Sequence, residues 1–159
     1  MLDMGFSYNF KEGTPLLHWA MQSSNINIVE LLCEKGVNIN DTNEEGMTAL
    51  YDASANGLTD IVMLLVKNGA NIEQASYNGV TPLIIASIYE HIDSVKILIE
   101  NGANLETRDE DGKSALLYAV EYGNLDIVKE LLARESDICI KDNKGRSIQM
   151  YIKKIKKRI

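Results

Sequence analysis

The chain has 159 residues, of which 45% are hydrophobic and 25% are charged, and its formal net charge is −7. This composition is typical of a globular protein and excludes a chain that is disordered throughout. No apolar run reaches the roughly 18 residues that a membrane-spanning helix needs, and no secretory signal is visible. We therefore expect an intracellular, cytoplasmic protein, with a nuclear location or delivery into a host cell left open.

The charge is unevenly distributed along the chain. Residues 1–144 carry a net charge of −13, whereas residues 145–159 carry +6. An acidic body repels phosphate, so nucleic acid is an unfavourable partner for most of the chain. The basic end is the exception, and it is the basis of a second hypothesis about binding.

Glycine recurs along the chain with a period of 33 residues. One column of equivalent positions holds Gly13, Gly46, Gly79, Gly112 and Gly145, and another holds Gly36, Gly69 and Gly102. Leucine and alanine keep the same period, in the columns Leu17, Leu50, Leu83, Leu116 and Ala20, Ala53, Ala86, Ala119. Such a period predicts a repeat protein in which each unit buries its apolar face against its neighbours.

The first predicted element is an extended segment over residues 1–12. Apolar side chains alternate along it, at Leu2, Met4, Phe6, Tyr8 and Phe10. Phe6 also lies one period before Ile39, within the regular part of the sequence. Two interpretations stay open: a cap that covers the first unit, or the remnant of a preceding unit in a longer array.

Each unit is predicted to contain two short helices and a turn. A threonine or serine precedes each apolar run, at the position of a helix N-cap, at Thr48, Thr81, Ser114 and Ser147. In the third unit the pattern predicts a first helix over 82–89 and a second over 92–100, which ends at Asn101-Gly102. The polar stretch 106–111 then predicts a turn or hairpin.

These segments resemble the ankyrin repeat, most closely at residues 79–87 (GVTPLIIAS) and 93–104 (DSVKILIENGAN). The resemblance covers residues 9–152 and implies an all-α repeat solenoid of helix-turn-helix units with β-hairpin loops. The implied organisation is four units at 13–45, 46–78, 79–111 and 112–144, followed by a partial unit at 145–159 that forms a basic capping helix. It also implies a concave face made of the loops and the first helices.

Three positions depart from the repeat pattern. The Thr14-Pro15 pair lies one residue early, so we expect the first helix of unit one to begin differently. Glu135 replaces the glycine of its column, which predicts an altered loop in unit four. Asp52 falls in a column of apolar and aromatic residues, so it needs either a structural hydrogen-bond partner or a role in binding a ligand.

No group of residues is typical of an enzyme, a metal site or a cofactor site. Residues 111–114 (DGKS) end like a phosphate-binding loop but lack its first glycine. His18 and His91 lie in different units without other metal ligands at a suitable spacing, and the resemblance implies a structural hydrogen bond for His18. Cys33 and Cys139 are three units apart, so neither a disulfide nor a Cys-His catalytic pair is expected. We expect a non-enzymatic protein with no cofactor and no small-molecule substrate.

The resemblance implies that a partner contacts the loop tips and the exposed side of the first helices. The matching columns contribute Glu44, Met47, Asn56, Tyr77, Val80, Ile88, Tyr89, Arg108, Glu110, Lys113, Glu121 and Tyr122. Tyrosine and aliphatic residues lie centrally in this set and carboxylates surround them, which is typical of an interface hot spot. We expect a monomer that binds a protein partner with an apolar anchor and basic flanks. The alternative is that some of these residues pack under the loops.

The last predicted element is a basic amphipathic helix within residues 147–159. Its apolar stripe holds Ile148, Tyr151, Ile152, Ile155 and Ile159, and its lysines lie mostly away from this stripe. A capping helix explains this pattern, because terminal repeats need a polar outer face. The alternative function is a docking module whose basic helix binds an anionic membrane, nucleic acid or an import receptor.

Overall fold

The computed structural model describes residues 15–134 and 136–156, with side chains up to residue 153. Within these residues the chain forms nine α-helices and no β-strand, which confirms the prediction of an all-α repeat solenoid. The helices are α1 (Leu16–Ser23), α2 (Ile26–Glu34), α3 (Ala49–Ala55), α4 (Thr59–Lys67), α5 (Pro82–Ile88), α6 (Ile92–Glu100), α7 (Ala115–Tyr122), α8 (Leu125–Ala133) and α9 (Ile148–Lys156). Odd-numbered helices are the first helices of successive units, and even-numbered helices are the second. None of these helices is long and apolar enough to cross a bilayer.

The loops between units are turns rather than extended hairpins. In the described ranges they contain two isolated antiparallel bridges, Thr42–Thr48 and Lys141–Ser147, in place of the expected hairpin strands. The predicted extended segment 1–12 and the predicted irregularity at Glu135 lie outside the described residues.

The first helices begin at the same phase of the repeat, although their caps differ. Thr48 and Thr81 accept backbone hydrogen bonds at their Oγ1 atoms, from Tyr51 at 3.2 Å and from Ile84 at 3.3 Å. Ser114 occupies the same position, but its side chain makes no cap hydrogen bond. The first helix of unit one begins at Leu16, one period before Ala49, and its N-cap Pro15 has no side-chain acceptor to offer. The shifted Thr-Pro pair therefore changes the cap but not the register.

A left-handed residue turns the chain between the two helices of each unit. Gly57 and Gly123 fill this position with φ of 64° and 78°, and in units one and three Ser24 and Glu90 adopt φ of 49° and 65°. Such a backbone costs a residue with a Cβ roughly 1–2 kcal/mol relative to glycine. The tight turn is thus kept at a local cost in two of the four units.

The core runs along the array as columns of equivalent side chains. Leu50, Leu83 and Leu116 are at most 1% exposed, and Ala53, Ala86 and Ala119 are fully buried. The small alanines let neighbouring first helices pack closely. The first helices α1, α3, α5, α7 and α9 pack against one another in sequence, and so do the second helices α2, α4, α6 and α8. Both rows place the loop tips of successive units side by side.

Candidate protein-binding face

The loop tips are joined to one another by backbone hydrogen bonds. In each case an N–H of one tip donates to a carbonyl oxygen of the tip before it, over 2.9–3.0 Å. The bonds run from Tyr77 to Glu45, from Glu110 to Asn78 and from Asn143 to Asp111. Because the spacing repeats with the units, the tips form one continuous ridge that is held in place without a partner.

An Asn or Asp side chain shapes the ridge from inside three of its loops. Asn43 Oδ1 accepts from the backbone N–H groups of Glu45 and Met47, each over 3.0 Å. Asp109 and Asp142 lie two and three units after Asn43. Their Oδ1 atoms accept from backbone N–H groups of their own loops in the same way. These local bonds fix the turn. The side chains that follow in each loop are therefore presented in a defined direction.

Three exposed tyrosines lie where the sequence predicted a contact surface. Tyr77, Tyr89 and Tyr122 are 72%, 57% and 53% exposed. The Tyr77 ring lies so close to Gly46 that a Cβ at that position would be 2.7 Å from a ring carbon. Tyr122 stacks on Tyr118, with ring centroids 6.3 Å apart and planes within 8°, and Tyr89 stacks on His91 at 6.5 Å. Each ring is thus supported on one side and open to solvent on the other.

The aliphatic residues predicted for the same surface are less exposed than the tyrosines. Val80 and Ile88 are half-buried and pack against the hydrophobic core, and Met47 is also half-buried. Met47, Val80 and Ile88 thus agree with the alternative that some of the predicted residues pack under the loops. We call the surface formed by Tyr77, Tyr89, Tyr122, Val80 and Ile88 the tyrosine face.

Polar residues border the tyrosine face. Glu44, Asn56, Arg108 and Glu110 are exposed, as predicted from their columns. The Arg108 Nη1 donates to the carbonyl oxygen of Lys141 over 3.5 Å. A shallow cleft of about 330 Å³ lies between the loop tips at residues 78 and 109–111, and it is lined by Asn78, Val80, Asp109, Glu110, Asp111 and Tyr118. Carboxylates thus give this border a negative charge.

Lys113 is placed differently from the sequence expectation. It was predicted among the contact residues, but it is only 8% exposed. Its Nζ lies 2.6 Å from the Glu121 Oε2 and 4.6 Å from the centre of the Tyr118 ring. The charge of Lys113 is therefore balanced by Glu121 and is not available at the surface. The same ion pair lowers the negative charge that Glu121 adds to the border.

A buried polar network that the sequence analysis did not identify closes the last loop. Asp142 Oδ2 accepts from the Tyr151 hydroxyl over 2.7 Å and from the Arg146 Nε over 2.6 Å. Burial alone would raise the pKa of Asp142, but these hydrogen bonds outweigh it and hold the pKa at about 2. Burial and the bond to Asp142 raise the pKa of Tyr151 well above its usual range. The network ties α9 to the loop before it.

The bond between aspartate and tyrosine recurs one unit earlier, although Lys113 there pairs with Glu121, and this periodicity was the signal available in the sequence. Asp109 Oδ2 accepts from the Tyr118 hydroxyl over 2.5 Å, and burial together with this bond raises the pKa of Tyr118. An aspartate, a basic residue and a tyrosine thus recur at the same spacing in two successive units, as Asp109, Lys113, Tyr118 and Asp142, Arg146, Tyr151. These residues stabilise the loops that carry the border of the tyrosine face.

Asp52 has a structural partner. Its Oδ2 accepts from the Nδ1 of buried His18 over 2.6 Å, and the His18 Nε2 lies 3.4 Å from the carbonyl oxygen of Asp41. This arrangement matches the structural alternative for Asp52 and the hydrogen bond to a neighbouring loop that the resemblance implied for His18. In the described part of the chain, no group of three His, Cys, Asp or Glu residues could hold a metal ion.

Comparison with known proteins places the chain in a family. A search of curated proteins finds no significant match. The family model for ankyrin repeats matches residues 2–76 and 69–142, which together cover most of the chain. Because this match covers well over half of the chain and agrees with the helix pairs of the structure, the chain belongs to the ankyrin-repeat family.

Proposed function

We propose that this chain is a non-enzymatic interaction module that binds a protein partner across the tyrosine face. Ankyrin repeats are generally protein-interaction modules, which supports the broad function. The observation that carries the proposal is the exposure of Tyr77, Tyr89 and Tyr122, which are 53–72% exposed while each ring is supported from one side. Large aromatic side chains exposed together on a rigid surface are characteristic of interface hot spots.

The rigidity of this surface favours tight binding. The ridge is held by backbone hydrogen bonds between tips, and the tyrosine rings of units two to four need little reordering when a partner arrives. Ordering a flexible side chain at an interface costs roughly 0.5–1.5 kcal/mol. A preformed tyrosine face avoids much of this cost, so we expect a small partner segment to be enough for specific binding.

The partner is proposed to present an apolar anchor with basic flanks. Val80 and Ile88 add half-buried apolar surface to the tyrosine face, which suits an aliphatic or aromatic anchor. Glu44 and Glu110 are exposed at the border, and they attract lysine or arginine. The same negative charge disfavours nucleic acid here and repels a second copy of the face. We therefore propose that the module acts as a monomer.

A selection from displayed random peptides tests both the function and the partner chemistry. The full chain is the bait, and the enriched peptides are then measured against Tyr89→Ala and against the triple variant Tyr77→Ala/Tyr89→Ala/Tyr122→Ala. Loss of a hot-spot tyrosine should weaken binding by about 2 kcal/mol, roughly 30-fold. The matched control is Met63→Ala/Leu125→Ala/Ile138→Ala, since these side chains are also 53–61% exposed but lie outside the tyrosine face.

The outcomes separate the function from the partner chemistry. Peptides rich in lysine or arginine around an apolar residue, bound by the control but not by the triple tyrosine variant, support both proposals. Enriched peptides without basic residues that still require the tyrosines contradict only the proposed flanks. Equal binding by the triple variant, or no enrichment at all, refutes the tyrosine face as the binding surface.

A further inference from the structure

A polar cleft lies between the first helices of units one and two. It has a volume of about 440 Å³, and it is lined by His18, Met21, Gln22, Ser24, Asn43, Asp52 and Asn56. Gln22 and Asn56 are exposed where the cleft opens to solvent, whereas His18 is buried at its inner end. With the exception of Met21, every side chain that lines the cleft can form hydrogen bonds. A ligand in this cleft would therefore have to be polar.

The cleft is present because two bulky positions of the repeat hold smaller polar side chains at this junction. One unit later, the positions of His18 and Asp52 are occupied by Tyr51 and Ile85, which are both 7% exposed. A buried aromatic and a buried aliphatic side chain thus lie at the junction of units two and three. Histidine and aspartate, which are smaller and polar, leave the open space between units one and two.

Asp52 brings a carboxylate to the cleft. Its Oδ2 accepts from the His18 Nδ1, whereas its Oδ1 makes no hydrogen bond within the described part of the chain. The Asp52 side chain is 26% exposed, so a ligand in the cleft can reach it. Asn56 donates through its Nδ2 to the Asp52 carbonyl oxygen over 2.8 Å, which leaves the Asn56 Oδ1 as a second acceptor. The cleft therefore offers acceptors to a ligand that carries several donors.

The charge around the cleft favours a cation. Residues 15–66 contain seven carboxylates and one lysine, Lys35, which follows the second helix of unit one. Glu44 and Glu45 are exposed in the loop that also contributes Asn43 to the cleft. Carboxylates concentrated around a concave site raise the local concentration of positively charged groups. The chemistry of the cleft and the charge of its surroundings thus select the same kind of ligand.

We propose that this cleft binds an arginine side chain of the protein partner. A guanidinium group is planar and carries five N–H donors, so it can donate to the Asp52 Oδ1 and to the Asn56 Oδ1 at the same time. The inference rests on the proposed function and deepens it, because it assigns one of the basic flanks of the partner to a defined site. The ammonium group of lysine lacks this planar geometry and should bind less well.

The cleft lies in line with the tyrosine face. Asn56 is one period before Tyr89, and Gln22 is two periods before Ile88. Neighbouring helices are about 8–10 Å apart, and an extended segment advances about 3.3 Å per residue. The cleft lies between units one and two, so a partner with its apolar anchor at Tyr89 should place the arginine about three to five residues away.

Nuclear magnetic resonance of the full chain, labelled with ¹⁵N, tests the cleft directly. The probes are N-acetyl-arginine methylamide and its citrulline analogue, which has nearly the same shape but no charge. We expect the arginine probe to shift the side-chain amide signals of Gln22 and Asn56, with a dissociation constant of about 1–10 mM for this single contact. The citrulline probe should bind at least about fivefold more weakly, because it lacks the charge that Asp52 recognises.

Matched variants identify the group that recognises the charge. Asp52→Asn keeps an acceptor for His18 and removes the carboxylate, so it should weaken the arginine probe about fivefold and leave the citrulline probe unchanged. The control Asp60→Asn removes an exposed carboxylate from the first turn of α4 in the same unit and should bind like the original chain. Asn56→Lys, at an exposed position, places a cation at the cleft and should abolish binding even if Asp52→Asn fails to fold.

The outcomes distinguish this inference from the proposed function. The triple tyrosine variant should still bind the arginine probe, and the peptides selected on the full chain should carry arginine at the predicted distance from their apolar anchor. An arginine probe that does not bind, a citrulline probe that binds equally well, or equal binding by Asn56→Lys overturns the inference. Selected peptides that need the tyrosines but tolerate citrulline in place of arginine overturn only this inference. Probe binding at the cleft without any enriched peptide supports the cleft and counts against the tyrosine face.

Discussion

Asp142→Asn should destabilise the C-terminal end of the array at neutral pH and have little effect in strong acid. The folded protein holds the pKa of Asp142 at about 2, below its ordinary value of 3.8, because Tyr151 and Arg146 donate hydrogen bonds to the carboxylate despite its burial. Since one pKa unit corresponds to about 1.4 kcal/mol, this difference is worth roughly 2 kcal/mol of stability. Asparagine keeps an acceptor for the tyrosine but removes the charge.

The sign of the pH dependence follows from the direction of the shift. A carboxylate with a lowered pKa in the folded state contributes its full stability above its unfolded value, here near pH 4. The contribution disappears as the pH falls through the folded value near 2. The stability difference between the original chain and Asp142→Asn should therefore be about 2 kcal/mol at pH 7 and close to zero near pH 2.

Urea unfolding over this pH range measures the difference. Because the units of a repeat array contact only their neighbours, the end can open separately, so hydrogen exchange of the α9 amides gives the local value. The control is Asp93→Asn, an exposed carboxylate in the first turn of α6, which should change the unfolding free energy by less than about 0.5 kcal/mol. A difference for Asp142→Asn that is the same at pH 7 and near pH 2, or below about 0.5 kcal/mol at pH 7, would refute the reasoning.

Three further predictions concern the turn, the ridge and the buried histidine. Glu90→Gly should raise the unfolding free energy in urea by about 1 kcal/mol, because φ at Glu90 is 65°. Gly46→Ala should lower it by about 1–2 kcal/mol and weaken selected peptides, because the added Cβ would displace the Tyr77 ring; unchanged peptide affinity would contradict this. Asp52→Ala should cost about 1–3 kcal/mol by leaving buried His18 without its acceptor, and a thermal-melt change like that of the exposed Asp60→Ala would count against it.

Much of the fold could be predicted because the 33-residue spacing of the apolar residues determines where the helices lie. The second helix predicted at 92–100 matches α6, and the first helix predicted at 82–89 ends one residue earlier, with Tyr89 as its C-cap. The shifted Thr14-Pro15 pair did not move α1, because burial of Leu17 and Ala20 sets the register. Burying such side chains is worth more than the roughly 1 kcal/mol of a cap. The capping sequence was therefore a less reliable guide to where α1 begins than the apolar positions that recur in every unit.

The candidate site was less predictable, because the position in the repeat determines where the backbone of a residue lies but not which partner its side chain reaches. Lys113 and Arg146 occupy the same column, each four residues after an aspartate and five before a tyrosine. In unit four the Lys113 side chain forms an ion pair with Glu121. The Asp109 carboxylate therefore accepts from the Tyr118 hydroxyl and not from a basic side chain. One period after Glu121 the chain has Lys154, and Arg146 pairs with Asp142 instead.

The choice of ion pair thus depends on a second column, eight residues away, and this coupling determines the charge of the border. Where the second column is acidic, as at Glu121, the basic residue is drawn inward and the border loses one free carboxylate. Exposed Glu110 and Asp111 then contribute to the negative charge of this border. The position of Lys113 could therefore have been predicted by comparing two columns of the same unit, rather than by treating each column alone.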